Sequence, residues 1–459
     1  MLMGVRRQTA DDSSAILHVL PFSDHCRECN HRAAVGCLSI MKQLDEFAVL
    51  GGPPVFATPL MVGRPSMPDR ASLHRRVDEI LDSGRFTNNG LLLQQFEEKL
   101  KTVTNCRHAV CVCNGTMALQ LLAKASGLTG EVIVPSMTFI ATAHALEWIG
   151  LKPVFADVDV DSHTLDPASV ERCVTANTSA ILGVHLWGNP CDVEGLQRIA
   201  DRHNLKLLFD ASHAFGCVRK GVPIGGLCDA ETFSFHATKA VHAIEGGAVV
   251  TNSDDIAERC RLMRNFGITG MTQIESPGIN AKMSELSAAV GLTSLESFDR
   301  VMAQNQLRLN DYRTVIKDVP GIDVAIPESI DRRNGQYVVV TVNAARFGMS
   351  RDQLLEILRA EGVFARSYFS PGCHNAVPYA GQSIHTPVRL SVTEQLLAEV
   401  LQLPTGSAVA EDDVVAIGRL LLAAHRFSSR LSGLLNTNEQ HRHQLDPLQD
   451  VSSSISDAA

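Results

Sequence analysis

A mainly parallel α/β domain followed by a smaller α+β domain is the architecture this sequence predicts. Between Gly115 and about Asn252, short runs rich in Val, Ile, Leu and Phe alternate with helical periods. That alternation is the pattern of strands buried on both faces of a sheet and joined by crossover helices. Beyond about Arg300 it gives way to longer helical stretches around one strand-like run. A chain of 459 residues is also longer than one core usually organises.

Residues 1–43 are polar and irregular, and we expect a mobile N-terminal extension there. The body begins at "LDEFAVLGGPPVF", from Leu44. Helical "TMALQLLAKASGL" precedes strand-like "EVIVPS", helical "TAHALEWIG" and strand-like "KPVFADVDV". Strand-like "SAILGVHL", helical "DVEGLQRIADRHN" and strand-like "LKLLFDAS" follow. Residues 44–300 therefore read as the large domain with its N-terminal arm, and 301–430 as the small C-terminal domain, with a connector from Leu295 to Val315. In the small domain "LRLNDYRTVIKDV", "SRDQLLEILRAEGV" and "EDDVVAIGRLLLAAHRF" read as helices and "GQYVVVTVNA" as a strand. Residues 431–459 have little apolar period and are expected to be a mobile tail.

The formal charge of −9 and 5% aromatic content argue against nucleic acid, which calls for basic patches and stacking rings. No apolar run approaches the roughly 20 residues of a membrane span. The twelve cysteines have no framework spacing and read as reduced thiols, so a cytoplasmic protein is expected.

Parallel sheets place ligands at the carboxyl ends of their strands, and four features fall there. In "CNGTMALQ", Asn114, Gly115 and Thr116 open a helix whose free N–H groups suit a phosphate, although a plain N-cap reads the same way. In "PSMTFIATAHAL", Thr138 and Phe139 sit at a strand-to-helix turn, where a ring can cover a planar ligand or simply join the core. In "LLFDASHAFG", Asp210 ends a buried strand and needs a partner, with His213 just beyond it. In "AETFSFHATKAVHAIEGGAVVTN", Ser234 ends a strand and Lys239 sits between two buried-looking segments. A desolvated lysine loses its charge, and a neutral amine condenses with an aldehyde. Phosphate cradle, aromatic, carboxylate and amine, in that order on one sheet, describe a pocket for pyridoxal 5′-phosphate.

The stretches "CNGTMALQLLA", "VHLWGNPCD", "FDASHAFG", "FSFHATKAVHAIEGGAVVTN" and "NAKMSELSAAVGL" resemble the DegT/DnrJ/StrS family of sugar-nucleotide aminotransferases, from about Leu44 to about Ala424. The resemblance implies PLP-dependent transferase fold type I, the aspartate aminotransferase type. It makes Lys239 the lysine that joins the cofactor's aldehyde, Asp210 the partner of the pyridine nitrogen and His213 the neighbour of the phenolic oxygen. Phe139 matches the stacking ring, and Gly115, Thr116 and Ser234 match phosphate contacts. Asn280 stands where the family sends an asparagine into the neighbouring subunit's site, which implies a homodimer with shared active sites. Thr87, Asn88 and Asn89 in "GRFTNNG" loosely match a substrate-side loop. Lys282, where many relatives carry Arg, and Arg366 are candidates for the substrate's diphosphate.

"GVHLWGNPC" and "YFSPGCH" look like the 4-aminotransferases acting on dTDP-4-keto-6-deoxy-D-glucose in deoxyaminosugar pathways, the desosamine branch among them. Glutamate would then be the donor and dTDP-4-amino-4,6-dideoxy-D-glucose the product. The alternatives are a 3-keto nucleotide sugar, a GDP- or UDP-linked 4-keto sugar, and a cofactor-binding regulatory protein without turnover. A dehydratase of this fold carries histidine where Lys239 stands. Cys26, Cys29, His31 and Cys37 form a conceivable zinc set, but their irregular spacing assigns no metal.

Overall fold

The computed structural model describes residues 42–325 and 330–445. Seven strands form the main sheet: β1 (His108–Val112), β2 (Glu131–Pro135), β3 (Lys152–Ala156), β4 (Thr178–Val184), β5 (Lys206–Asp210), β6 (Ala230–Ser234) and β7 (Gly247–Thr251). Their order is β1-β7-β6-β5-β4-β2-β3. Pairing is parallel from β6 through β3, while β7 runs antiparallel to both β6 and β1.

The apolar runs are continuous because both faces are covered. Val132, Val134, Ala180, Leu182 and Leu208 face one cluster, which the helix Gly115–Ala125 closes with Leu119, Leu121 and Leu122. Their sequence neighbours Ile133, Ile181, Leu207 and Phe209 face the other, against Leu196 and Ile199 of the helix Val193–His203. Successive side chains point to opposite faces, so one strand feeds two cores.

Register brings the chemistry to one edge of this sheet. Val184 of β4 lies beside Asp210, and Asp210 lies beside Thr232 of β6. Gly247, which opens β7, lies between Ser234 and Val112. A Cβ on Gly247 would stand 2.5 Å from the Asn114 carbonyl oxygen and 2.7 Å from the Gly115 nitrogen. Only glycine lets the turn before Thr116 approach this strand so closely.

A second sheet has β8 (Ile322–Val324), β9 (Val338–Val342) and β10 (Val400–Leu403), antiparallel, with β9 central. The helices Phe298–Ile316 and Glu411–Arg426 cover it through Leu309, Tyr312, Ile417 and Leu421. The connector expected from Leu295 to Val315 is itself mostly the first of these helices, entered directly from the helix Glu285–Glu296.

Two boundaries differ from expectation. The arm from Leu44, grouped on sequence with the large domain, packs instead on the C-terminal part. Phe47 joins its core, Leu60 pairs in parallel with Val363, and Lys42 meets the buried Glu361 at 2.7 Å. The tail set to begin at 431 continues as a helix through Ser428–Leu445. Leu431 and Leu435 are buried one turn apart, a stripe too short to register as a period in so polar a segment. Residues 1–41, with the Cys26, Cys29, His31 and Cys37 set, and residues 446–459 lie outside the described residues. Among the described residues no cluster of potential metal ligands occurs, and no helix is long and apolar enough to cross a membrane. All nine cysteines in this part are free.

Candidate active site

Asp210 is buried at the end of β5, and both its oxygens are engaged. Oδ2 accepts from the Thr142 hydroxyl at 3.0 Å and Oδ1 from the Ser212 amide at 3.0 Å. Thr142 stands on the helix Ala141–Glu147, and its hydroxyl also meets Thr138 Oγ1 at 3.0 Å. These bonds fix the carboxylate plane and leave its charge to act on the pocket.

Lys239 lies in the loop from β6 to β7 and is half-buried. Its Nζ donates to the Tyr337 hydroxyl at 3.0 Å. Burial pushes the amine down to about 8, against the opposing pull of Asp210 and Tyr368. Tyr337, which holds the amine, packs its ring 4.5 Å from that of His213, three residues beyond Asp210. Near neutral pH such an amine exchanges readily between its charged and neutral forms.

His213 is buried at the same edge. Its Nδ1 accepts the Trp187 backbone N–H at 3.4 Å, which leaves the ring proton on Nε2. Burial, reinforced by the charge of Lys239, holds the ring well below the usual histidine range, so it is neutral. Trp187 stacks on it at 5.7 Å and on Phe369 at 5.2 Å. Trp187 holds a left-handed backbone (φ 58°), which is costly for so large a residue and persists only where packing enforces it.

The helix Gly115–Ala125 opens beside Ser234. Asn114 caps it, its side chain accepting from the Met117 amide at 2.8 Å. The amides of Gly115 and Thr116 have no partner within the helix. A Cβ on Gly115 would lie 3.0 Å from that of Ser234, so glycine keeps the two close. Phe139 is 56% exposed at the mouth, its ring 6.3 Å from Phe369. This donor set suits pyridoxal 5′-phosphate: an amine for the aldehyde, a carboxylate for the ring nitrogen and a neutral N–H donor for the phenolic oxygen. Two amides with a hydroxyl suit the phosphate, and an aromatic face suits the ring.

The substrate-side candidates divide. Arg366 stacks over the Tyr368 ring at 5.4 Å and bonds its hydroxyl, and Tyr368 in turn stacks on Phe369, whose ring lies 6.0 Å from that of His213. Lys282 pairs its backbone with Val112 beside the Gly115 turn, but its Nζ bonds Asn265 Oδ1 at 3.0 Å. Asn280 is exposed and bridged to Asn265. Thr87, Asn88 and Asn89 are exposed, the two asparagines with left-handed backbones. The Arg85 guanidinium holds the carbonyls of Asn88 and Asn89, and among the described residues none of these bonds reaches the Lys239 cluster.

Sequence reasoning did not single out Thr142, Trp187, Asn334, Gln336, Tyr337 or Phe369. Asn334 Nδ2 donates to the carbonyls of His213 and Phe215 at 2.9 and 3.1 Å. Gln336 Oε1 accepts the Ala240 amide at 2.8 Å. All three polar residues before β9 sit in "NGQYVVVTV", where apolar patterning announces a strand and nothing announces a site.

Residues 69–421 match the model of the DegT/DnrJ/EryC1/StrS aminotransferase family. The chain is 36% identical over 354 residues to a dTDP-4-amino-4,6-dideoxy-D-glucose transaminase of Shigella dysenteriae, covering 77% of this chain and 96% of that one. It is 33% identical to a GDP-perosamine synthase of Caulobacter vibrioides over 341 residues, 73% of this chain and 91% of the relative. Among solved structures, that of DesI in the presence of its TDP-sugar product superposes with a TM-score of 0.82 at 50% identity. The match covers 87% of this chain and all of that one.

Proposed function

This chain belongs to the DegT/DnrJ/EryC1/StrS aminotransferase family, and from that premise we propose that it moves an amino group from glutamate to the C4 ketone of dTDP-4-keto-6-deoxy-D-glucose. The product is dTDP-4-amino-4,6-dideoxy-D-glucose. The observation that carries the chemistry is the placement of Lys239 in the loop after β6, its Nζ on the Tyr337 hydroxyl at 3.0 Å and that ring 4.5 Å from the buried His213, where burial pushes the amine down to about 8. The choice of sugar rests on the likeness to the Shigella transaminase and to DesI. The likeness to a GDP-perosamine synthase keeps a GDP-linked 4-keto sugar as the second candidate.

When bound, pyridoxal 5′-phosphate supplies an aldehyde for amines and a protonated ring that takes up the electrons of a broken C–H bond. Lys239 would join that aldehyde, Asp210 would face the ring nitrogen and His213 Nε2 would donate to the phenolic oxygen. Phe139 would cover the ring, while Gly115, Thr116 and Ser234 would bind the phosphate together with Asn280 of a second copy. The amine of Lys239 would also take the proton from the donor's Cα in the first half of the cycle. In the second half it would return a proton to the sugar's C4. One amine serves as nucleophile, base and acid, so no further general base is required. Arg366 and Lys282 would meet the diphosphate, and Thr87, Asn88 and Asn89 would border the sugar.

Mixing the purified protein with glutamate tests the class. The expected outcome is conversion of the lysine-bound absorbance to that of the amino form of the cofactor, abolished in Lys239→Ala. No conversion by the unaltered protein contradicts it. A panel of 3-keto and 4-keto sugars on dTDP, GDP and UDP then decides the acceptor, with dTDP-4-keto-6-deoxy-D-glucose expected to react fastest.

A further inference from the structure

We propose that Tyr337 is a positioning residue for Lys239: its hydroxyl holds the ε-amine whenever that amine is not joined to the cofactor. The inference rests on Lys239 being the condensing lysine and adds what governs it between condensations. The bond itself is 3.0 Å from Nζ to the hydroxyl. A phenol both accepts and donates, so one hydroxyl stays bonded to an ammonium as acceptor and to a neutral amine as donor. Burial drives ionisation of Tyr337 above its ordinary range, which keeps that proton in place. Lys239 needs such a partner because it visits both forms near neutral pH.

The hydroxyl is held firmly. The Tyr337 ring packs against His213 at 4.5 Å and edge-on to Trp187 at 5.3 Å. Its neighbour Gln336 grips the Ala240 amide, one residue beyond Lys239, and Asn334 grips the loop after Asp210. The stretch before β9 therefore straps both loops that bear the reacting groups, and Tyr337 is its contact with the amine. The ring alone also approaches Nζ, at 5.8 Å to its centre, so a variant that keeps the ring isolates the hydroxyl.

Tyr337→Phe provides the test, first in cofactor-free protein, by the pH dependence of Lys239 labelling with an amine reagent. Loss of the hydroxyl removes a charge-assisted bond from the ammonium and a weaker one from the amine, so the apparent pKa of Lys239 should fall by roughly half a unit to one unit. In the loaded enzyme, the glutamate half-reaction should slow about 10- to 100-fold, with half-saturation by glutamate changed less than about twofold and a larger isotope effect from α-deuterated glutamate. Asn334→Ala is the structural control: it releases the His213 and Phe215 carbonyls and so loosens the strap, but leaves the Tyr337 hydroxyl in place. An unchanged labelling profile in Tyr337→Phe, or an equal shift in Asn334→Ala, overturns the proposal. Failure of the unaltered protein to react with glutamate would instead contradict the transaminase assignment.

Discussion

At the scale of single residues, the terms acting on the cofactor are unequal. A carboxylate facing a pyridinium at about 4 Å contributes roughly 4 kcal/mol at an effective dielectric near 20, whereas ring stacking adds about 0.5–1.5 kcal/mol. Asp210→Asn should therefore lower turnover by about a hundred- to a thousandfold and Phe139→Ala by about tenfold or less, measured as kcat with glutamate and the keto sugar. Comparable losses would contradict the assignment of Asp210. The Lys239 amine gives a pH signature. Below its pKa of about 8 the charged form predominates and cannot attack an aldehyde. Recapture of added cofactor by cofactor-free protein should rise roughly tenfold per pH unit below that value and level off above it. Asp210, His213 and Lys239 were legible because the first ends a buried strand and the others come shortly after one, where a charged or polar residue demands explanation. Tyr337 and Thr142 were not, since a tyrosine at the start of a strand and a threonine in a helix need no explanation until the fold brings them to Lys239 and Asp210.

At the scale of elements, the strands of the main sheet were legible because both their faces are buried and their apolar runs are unbroken. The reversal of β7 was not, because an antiparallel strand buried on both faces has the same apolar run as a parallel one. The arm from Leu44 was misgrouped for a related reason: its partners, Glu361 and the Val363–Phe364 strand among them, lie about 300 residues away in sequence. Glu361 is buried and accepts from Lys42 Nζ, from the Ala48 amide at 2.9 Å and from the Val55 amide at 2.9 Å. Removing one partner of a buried pair leaves the rest unsatisfied, at a cost of about 3–5 kcal/mol. Glu361→Ala should lose that much stability in chemical denaturation. A loss under about 1 kcal/mol would mean the arm docks through Phe47 and its apolar neighbours alone.

At the scale of the whole molecule, the site edge of the main sheet supplies the reacting groups and the segment before β9 straps them from the C-terminal part. The exposed Asn280 completes this picture only if a second copy is present, as we propose. Lys239→Ala and Asn280→Ala should each be inactive or nearly so alone. Mixed copies should regain activity, because one shared site then has both residues intact; no recovery on mixing would assign Asn280 to its own chain's site or to none. The account as a whole depends on which lysine carries the cofactor. Borohydride reduction of the purified protein, followed by peptide mass mapping, reads this directly. The prediction is a single pyridoxyl-phosphate adduct on Lys239, absent from Lys239→Ala; an adduct on another lysine, or none at all, would contradict it.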